Sequence, residues 1–530
     1  MKFILTVSVL LATSVIWSQE EYVDHSIDVL HYDVTLELND STDEIRGYEL
    51  ITFDFVNYCD SFFIDFQSIH DGKGMQLESP ILLDAETIDY KHVDDRIWFY
   101  PDETWKPGSH EFKFYYSGVP ETGLIIGKNK FEDRTFFGDN WPNRAHHWFA
   151  CLDHPSDKAT INFSVKVPIQ YQCVATGDFI SRTRIENGKN WLYSFESSIV
   201  LPTKVMVIGV AEFVVDLYES QFDFDITAWS YPQNAKEGKS DMAVSVDVLE
   251  YFIEILGDYP FEKLANVQST TQFGGMENAG NIFYDENAIT GDGSMEALIA
   301  HEIAHQWFGN SASEKDWPHL WLSEGFATYL TDMYWEHKYG TEAMNERLRG
   351  ERIRVLKFAQ NYTHPVVDTE YAELMHLLNP NSYQKGAWIL HMMRIKVGDD
   401  AFLEGIKTYH HKFRLSNADT EDFQAIMEEV SDKNLDAFFK QWLYTSGHPI
   451  LLIESDIKKK TAEISITQTQ EGTSFQFDLE IEVIYNNGES EIISIPVTDK
   501  KTTHTFEAAS KITGYRFDPH VKLLFEEVEY

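Results

Sequence analysis

The spacing of apolar residues changes twice along this chain, and each change limits which elements the chain can form. Apolar and polar residues alternate with period two over about 22–217, as half-buried strands require. From about Phe222 the apolar residues recur at helical spacing, and from about Ile450 the alternation returns. The sequence therefore predicts a multidomain α+β protein. Its predicted parts are an all-β domain, a mostly helical domain and a small C-terminal β-sandwich, at 19–218, 219–448 and 449–530.

Glycines and one serine mark the expected ends of several helices in the middle domain. Gly257 and Gly340 each follow a helical pattern and are expected to stop it. Ser294 is predicted to cap the start of a helix, and Tyr383 falls in the first turn of another. The predicted helices cover residues 244–256, 294–308, 320–339, 341–358, 382–397, 400–413, 421–430 and 435–445.

The charge of the chain limits its partners. Lysines and arginines number 43 and acidic residues 86, so the formal net charge is 43 − 86 = −43. A surface this acidic repels phosphate backbones, which argues against nucleic acid as a partner. The same surface attracts cations, and the α-ammonium group of a peptide is a cation.

The beginning of the chain has the pattern of an export signal. Lys2 supplies a positive start, the apolar run from Phe3 to Trp17 follows, and Ser18 is small enough for a cleavage site. The run is too short for a membrane helix, and no later apolar segment is long enough to span a bilayer. We predict a signal peptide at 1–18 and an exported protein, periplasmic or extracellular, without an integral membrane segment. Three cysteines, an odd and low number, argue against a disulfide framework.

A metal-binding pattern lies in the helix predicted at 294–308. His301 and His305 are four residues apart, so their imidazoles share one helix face and can reach one ion. Glu302, one step around the helix, would lie beside that ion and act as a general base on a bound water. The surrounding residues are apolar, so the helix is expected to be buried. Buried histidines next to a buried carboxylate need a compensating charge, and a divalent cation supplies one.

Glu324 is the expected third ligand. It follows His305 by 19 positions and lies on the next predicted helix, which a helix hairpin can bring back to the ion. Two histidines and one glutamate leave a fourth position open for water, which is the arrangement of a catalytic zinc site. We predict one Zn²⁺ per chain.

A glycine-containing segment upstream is a candidate for binding the substrate. Its residues are Gly274, Gly275, Met276, Glu277 and Asn278. Glycine pairs allow another backbone to approach closely, and an edge strand here could pair with a peptide by β-addition. Glu277 would then face the first residue of the peptide and pair with its ammonium group.

These motifs together resemble the M1 (gluzincin) aminopeptidases. That family carries a GxMEN motif, here at 274–278, and an HExxH motif, here at 301–305, with a glutamate 19 positions later. The resemblance implies an N-terminal β-saddle, a thermolysin-like catalytic domain and a small β-sandwich. It also implies that Tyr383 stabilises the transition state. Because the sequence stops after the predicted sandwich, we expect no large C-terminal helical domain, which argues against a closed chamber.

Two positions depart from the pattern of the family. Members often hold the substrate amine with a Gln or Glu from the β-domain, and Trp141, which cannot accept a hydrogen bond, stands at that position. Asp139 and Asn140 are candidates to replace it. Ser323 stands where an asparagine is usual beside the third ligand, and we expect little consequence.

The function predicted from these residues is hydrolysis of the first peptide bond of a substrate with a free N-terminus. Glu302 would serve as general base, the metal and Tyr383 would stabilise the oxyanion, and Glu277 would bind the α-amine. Three alternatives remain: a zinc endopeptidase, a bifunctional epoxide hydrolase on the same scaffold, and a peptide-binding scaffold with an inactive site. The sequence leaves open the preferred first residue, the oligomeric state, and whether the protein is periplasmic or secreted.

Overall fold

The computed structural model describes residues 26–100 and 105–528. The predicted signal peptide at 1–18 lies outside these residues. A β-rich N-terminal region is followed by a mostly helical region and then by further strands, in the order that the changes of period predict. In the described part of the chain, no helix combines the length and the hydropathy needed to cross a membrane.

The N-terminal region is built around a nine-stranded sheet. Its alternation is clear in the strand Ala159–Pro168, where every second side chain is buried. This strand pairs in parallel with Ile27–Glu37 and antiparallel with Asn190–Leu201. The strands of this region are β1 Ile27–Glu37, β2 Ile45–Phe55, β3 Phe62–Asp65, β4 Gly74–Leu77, β5 Leu82–Leu83, β6 Glu86–Thr87, β7 Tyr90–Val93, β8 Arg96–Phe99, β9 Gly108–Val119, β10 Gly123–Lys128, β11 Arg134–Asp139, β12 Ala159–Pro168, β13 Gln172–Ala175, β14 Asp178–Ile185, β15 Asn190–Leu201 and β16 Ile208–Ala211.

A five-stranded sheet opens the middle region. Its strands are β17 Val214–Tyr218, β18 Ile226–Ser230, β19 Leu264–Ser269, β20 Gly275–Met276 and β21 Asn281–Asp285. The order is β17-β18-β19-β21-β20, so the two-residue strand from the glycine-containing segment lies at one edge. β17 precedes the predicted boundary at 218 yet pairs with β18 of this sheet. Two short strands, β22 Ala312–Glu314 and β23 Ser416–Ala418, pair with each other farther along.

The helices α2 to α9 of the middle region agree with the predicted helices in position and differ from them at several ends, whereas α1 was not predicted. They are α1 Ala235–Asp241, α2 Ser245–Leu256, α3 Glu296–Ala304, α4 Trp321–Tyr339, α5 Thr341–Ala359, α6 Gly386–Val397, α7 Asp399–Phe413, α8 Thr420–Ser431 and α9 Asp436–Trp442. Gly257 and Gly340 end α2 and α4 with positive φ angles, as predicted. Glycine adopts this left-handed conformation without the steric cost of a β-carbon.

One predicted helix start is wrong, and another helix begins as predicted but with a different kind of turn. Ser294 does not cap α3, because the helix begins at Glu296 and Met295 occupies the cap position, with no side-chain capping bond. The backbone N–H of Ser294 belongs to the preceding loop, where it bonds the side chain of Asp292. The helix predicted at 382–397 begins instead with a π-helical turn, Asn381–Lys385, and only then continues as α6. Tyr383 therefore lies in a π turn, a feature found frequently at functional sites.

Two glycines let α4 and the start of α6 touch through their backbones. A β-carbon on Gly325 would come within 2.9 Å of the Gly386 Cα, and one on Gly386 would come equally close to Gly325. An alanine at either position would push these elements apart. The close approach sets the residue before Gly325, Glu324, beside the turn that carries Tyr383.

The last region consists of strands in a four-stranded and a three-stranded sheet. They are β24 Ile450–Lys458, β25 Thr461–Gln468, β26 Phe477–Tyr485, β27 Ser490–Val497, β28 Lys501–Glu507, β29 Ile512–Phe517 and β30 Glu526–Val528. All three cysteines, Cys59, Cys151 and Cys173, are buried.

Candidate metal centre and amine-binding site

Three predicted ligands converge on one point. His301 and His305 lie one turn apart at the end of α3, and their Nε2 atoms are 3.1 Å from each other. The Oε2 atom of Glu324, from the first turn of α4, is 3.4 Å from His301 Nε2 and 3.3 Å from His305 Nε2. The structure thus brings Glu324 to two histidines that precede it by 23 and 19 positions in the sequence.

This donor set fits a zinc ion. Ligand atoms about 2.1 Å from one ion in a tetrahedron lie roughly 3.4 Å apart, which matches the spacing of the three atoms. The second ring nitrogen of His305, Nδ1, lies 3.1 Å from the carbonyl oxygen of Phe308 and 3.1 Å from the hydroxyl of Ser323. A donated hydrogen bond at Nδ1 leaves Nε2 free to bind a metal, the usual support of a metal-binding histidine.

The electrostatics of the cluster favour a cation. Burial alone would raise the pKa of the Glu324 carboxyl, but the adjacent imidazoles, His305 above all, hold it well below its usual range. Burial alone would likewise lower the pKa of His305, but Glu324 and Glu277 raise it to about 10. Buried carboxylates therefore attract positive charge to this point, and a divalent ion would satisfy them.

Glu302 lies beside the three candidate metal ligands and against the backbone of Gly275. Its side chain is buried, and burial together with the carboxylates of Glu277 and Glu324 raises its pKa well above the usual value. The backbone of Gly275 passes so close that a β-carbon at 275 would overlap the Glu302 carboxylate. A carboxylate with a raised pKa next to a metal site has the properties of a general base.

Glu277 follows the edge strand β20 and lines the same cavity as the three ligands. Its Oε1 atom is buried and has no hydrogen-bond donor in the described part of the chain. Its backbone carbonyl accepts hydrogen bonds from Gln306 Nε2, at 2.8 Å, and from Asn310 Nδ2, at 2.6 Å. The backbone of Glu277 is thereby fixed to the residues that follow α3, while its carboxylate is left available for a ligand.

The remaining predicted residues divide between the cavity and its surroundings. Gly274, Gly275 and Met276 line the cavity, whereas Asn278 is buried and is not among the lining residues. Tyr383 also lines it, and its ring stacks on that of His301 with centroids 6.0 Å apart and planes 11° apart. Burial and the Glu324 carboxylate raise the pKa of Tyr383 well above its usual value, so its hydroxyl stays protonated and can donate a hydrogen bond.

The two candidates for replacing the usual β-domain Gln or Glu are occupied elsewhere. The Asp139 carboxylate pairs with Arg144 at 2.7 Å, and the Asn140 side chain bonds the carbonyls of Thr203 and Met206. Neither residue lines the cavity, so the suggestion that one of them substitutes is wrong. Trp141 does line it.

Several residues of the site were missed by the sequence reasoning. Gln306 and Asn310 bond the Glu277 carbonyl, and Ser323 contacts His305 although its identity was expected to matter little. Gln306 and Asn310 are polar residues inside an apolar segment, and that contrast could have identified them. Phe273 and Leu378, which also line the cavity, carry no comparable signal in the sequence.

The chain is similar to known peptidases. Residues 241–442 match the family model of the peptidase family M1 domain, and residues 29–205 match that of the peptidase M1 N-terminal domain. The chain is 26% identical to probable aminopeptidase 2 of Sulfurisphaera tokodaii over 91% of this chain and 60% of that protein. It is 25% identical to leucyl aminopeptidase of Saccharolobus solfataricus over 91% and 61%, and 28% identical to glutamyl aminopeptidase of Sus scrofa over 60% and 35%. The chain thus spans about three fifths or less of the length of these relatives.

Proposed function

Because the chain belongs to peptidase family M1, we propose that it is a zinc-dependent aminopeptidase that removes the first residue from peptides. One zinc ion would be held by His301, His305 and Glu324. On the same basis, the three regions would correspond to a β-saddle, a thermolysin-like catalytic domain and a β-sandwich.

The observation that carries this proposal is the carboxylate of Glu277. It is 5% exposed, has an oxygen atom without a hydrogen-bond donor among the described residues, and lines the same cavity as the three metal ligands. A buried carboxylate without a partner is costly, and the α-ammonium group of a substrate would compensate it. An ammonium held here would place the first peptide bond, rather than an internal bond, at the metal ligands.

Bound zinc would supply a Lewis acid that polarises the substrate carbonyl and lowers the pKa of water to about 7. Glu302 would take a proton from the attacking water and pass it to the leaving amine. The Tyr383 hydroxyl would donate a hydrogen bond to the oxygen of the carbonyl as negative charge develops there. Glu277 would hold the free amine throughout and so determine which bond is cut.

We also propose that the protein is exported, with residues 1–18 removed. The charged start, apolar run and small residue at 18 support this proposal. Sequencing the amino end of the mature protein from a cell fraction outside the cytoplasm would test it. A mature protein that retains Met1 would contradict it.

Aminoacyl arylamides and their N-acetylated counterparts, assayed with and without a chelator, test the proposed function. We expect hydrolysis of the free-amine compounds, its loss with the chelator and its return with added zinc. The N-acetylated compounds should remain intact because they cannot pair with Glu277. Cleavage of blocked and free compounds at comparable rates would identify an endopeptidase and refute the proposal. Hydrolysis that survives complete zinc removal would also refute it.

A further inference from the structure

The cavity has an apolar side that the proposed chemistry does not use. Its volume is about 260 Å³, and the metal ligands, Glu277, Glu302 and Tyr383 supply its polar lining. Apart from two glycines, the remaining lining side chains are large and uncharged. They are Trp141, Phe273, Met276, Leu298 and Leu378.

Trp141 is the largest of these side chains, and its position is firmly supported. It is 2% exposed and packs edge-to-face on Trp317, with ring centroids 6.0 Å apart. The Arg144 Nε atom donates a hydrogen bond to the Trp141 carbonyl at 2.8 Å. Because its backbone and its ring are both held, Trp141 cannot easily move to admit a larger ligand. The five apolar side chains of the lining, Trp141 included, are called the apolar wall below.

The wall joins two regions of the chain. Arg144 pairs with Asp139, and Asp139 accepts hydrogen bonds from the hydroxyl of Thr271 at 3.4 Å and the backbone N–H of Gln272 at 3.3 Å. Gln272 precedes Phe273, the second aromatic residue of the wall. The Asp139–Arg144 pair therefore fixes Trp141 from the N-terminal region and Phe273 from the middle region relative to each other.

We infer that this wall receives the side chain of the first substrate residue, and that the protein prefers a small or medium-sized aliphatic residue there, with Trp141 setting the upper limit. The inference rests on the proposed function, which places the amine at Glu277 and the first carbonyl at the metal ligands. The side chain between them then has only the apolar wall to contact.

The lining determines both the charge and the size of the substrate side chain that fits. A lysine side chain would lose its hydration against the wall without gaining an acceptor there, because the indole Nε1 of Trp141, which has no hydrogen-bond partner among the described residues, can only donate. A glutamate side chain would lose its hydration and would be repelled by the carboxylates of Glu277, Glu302 and Glu324. A volume of 260 Å³ is below the usual range for ligand pockets, and it must also accommodate the reacting groups. Alanine, methionine and leucine side chains suit this space better than phenylalanine.

The test compares kcat/KM for alanine, leucine, phenylalanine, lysine and glutamate arylamides. In the wild-type enzyme we expect alanine and leucine to exceed lysine and glutamate by about 100-fold or more. In the Trp141→Ala variant we expect the phenylalanine-to-leucine ratio to rise by about 10-fold or more, with a smaller rise in Trp141→Phe. Trp191→Ala, which removes an indole from β15 outside the cavity, should keep the wild-type ratio.

The outcomes separate this inference from the proposed function. Hydrolysis of free-amine arylamides with lysine or glutamate equal to leucine would overturn the inference and leave the aminopeptidase proposal standing. A phenylalanine-to-leucine ratio that is unchanged in folded, zinc-loaded Trp141→Ala would overturn the role of Trp141. Cleavage of N-acetylated compounds, or of none of the five, would overturn the proposed function and the inference with it.

Discussion

The backbone of Gly275 passes so close to the Glu302 carboxylate that no side chain would fit at position 275. A β-carbon at 275 would overlap Oε1, Cδ and Cγ of Glu302. The adjacent Gly274 is different, because a β-carbon there would meet only Leu298 Cδ1, at 3.9 Å. One glycine of the pair is therefore required by the proposed general base, and the other is not.

The Gly275→Ala variant should displace Glu302 and lower kcat/KM by about 100-fold, since a shift of about 1 Å in a catalytic group has an effect of that size. Zinc content should remain near one per chain, because the three ligands are not in the overlap. Gly274→Ala is the matched control and should stay within a few-fold of wild type. Equal activities of the two variants would contradict the proposed role of this contact.

Gln306 fixes the backbone of the segment that carries Glu277. Its Nε2 atom donates to the Glu277 carbonyl at 2.8 Å, and its Oε1 atom accepts from the Gly280 N–H at 3.0 Å. Gln306→Leu removes both bonds and should lower kcat/KM for free-amine substrates by about 10-fold or more, while zinc stays bound. Gln233→Leu, at an exposed position, serves as control. Full activity of Gln306→Leu would show that Glu277 needs no such support.

Ser323 supports the His305 ligand. Its hydroxyl lies 3.1 Å from His305 Nδ1, and the Phe308 carbonyl oxygen lies equally close to the same nitrogen. Ser323→Ala should weaken zinc binding by about 10-fold, the lower end of the range for lost support of a metal ligand, because the carbonyl remains. Competition with a chromophoric chelator measures this. Thr331→Val, which removes a buried hydroxyl from the same helix, should bind zinc like wild type.

His391 should make stability depend on pH. It is buried between Tyr329 and the Val521 carbonyl, and burial lowers its pKa to about 4. The unfolded chain takes up a proton near pH 6.5 but the folded chain does not, so this contribution is complete above pH 6.5 and is lost as pH falls toward 4.

The His391→Gln variant removes this titration. As the pH is lowered from 6.5 to 4, the free energy of unfolding of the variant should rise relative to that of wild type by up to roughly 3 kcal/mol. Urea denaturation across this range measures the difference. The same substitution at exposed His411 is the control, and an equal change in both variants would contradict the assignment to His391.

Local spacing was enough to predict that His301, His305 and Glu324 meet. Histidines four residues apart share a helix face wherever the helix forms, and Glu324 needed only a neighbouring helix to reach them. The order of strand and helical regions was predictable for a similar reason, since the period of apolar residues reflects which face is buried.

The parts that were not predicted depend on contacts between distant segments. The Gly325–Gly386 approach and the π turn before α6 require two helices to be docked first. Asp139 and Asn140 look available for an amine in the sequence, but in the fold Asp139 pairs with Arg144 and Asn140 bonds the carbonyls of Thr203 and Met206. Ser294 lies in a loop before α3, where Asp292 accepts a hydrogen bond from its backbone N–H, and so it does not cap the helix.

The effect of Glu277→Ala on discrimination between free and N-acetylated leucine arylamide tests the central claim most directly. Loss of a buried charge pair should cost about 100-fold or more in kcat/KM for the free compound, and the advantage of free over blocked substrate should nearly disappear. Zinc should stay bound, because Glu277 is not a ligand. A zinc-loaded variant that still prefers the free amine as strongly as wild type would show that another group recognises the beginning of the peptide.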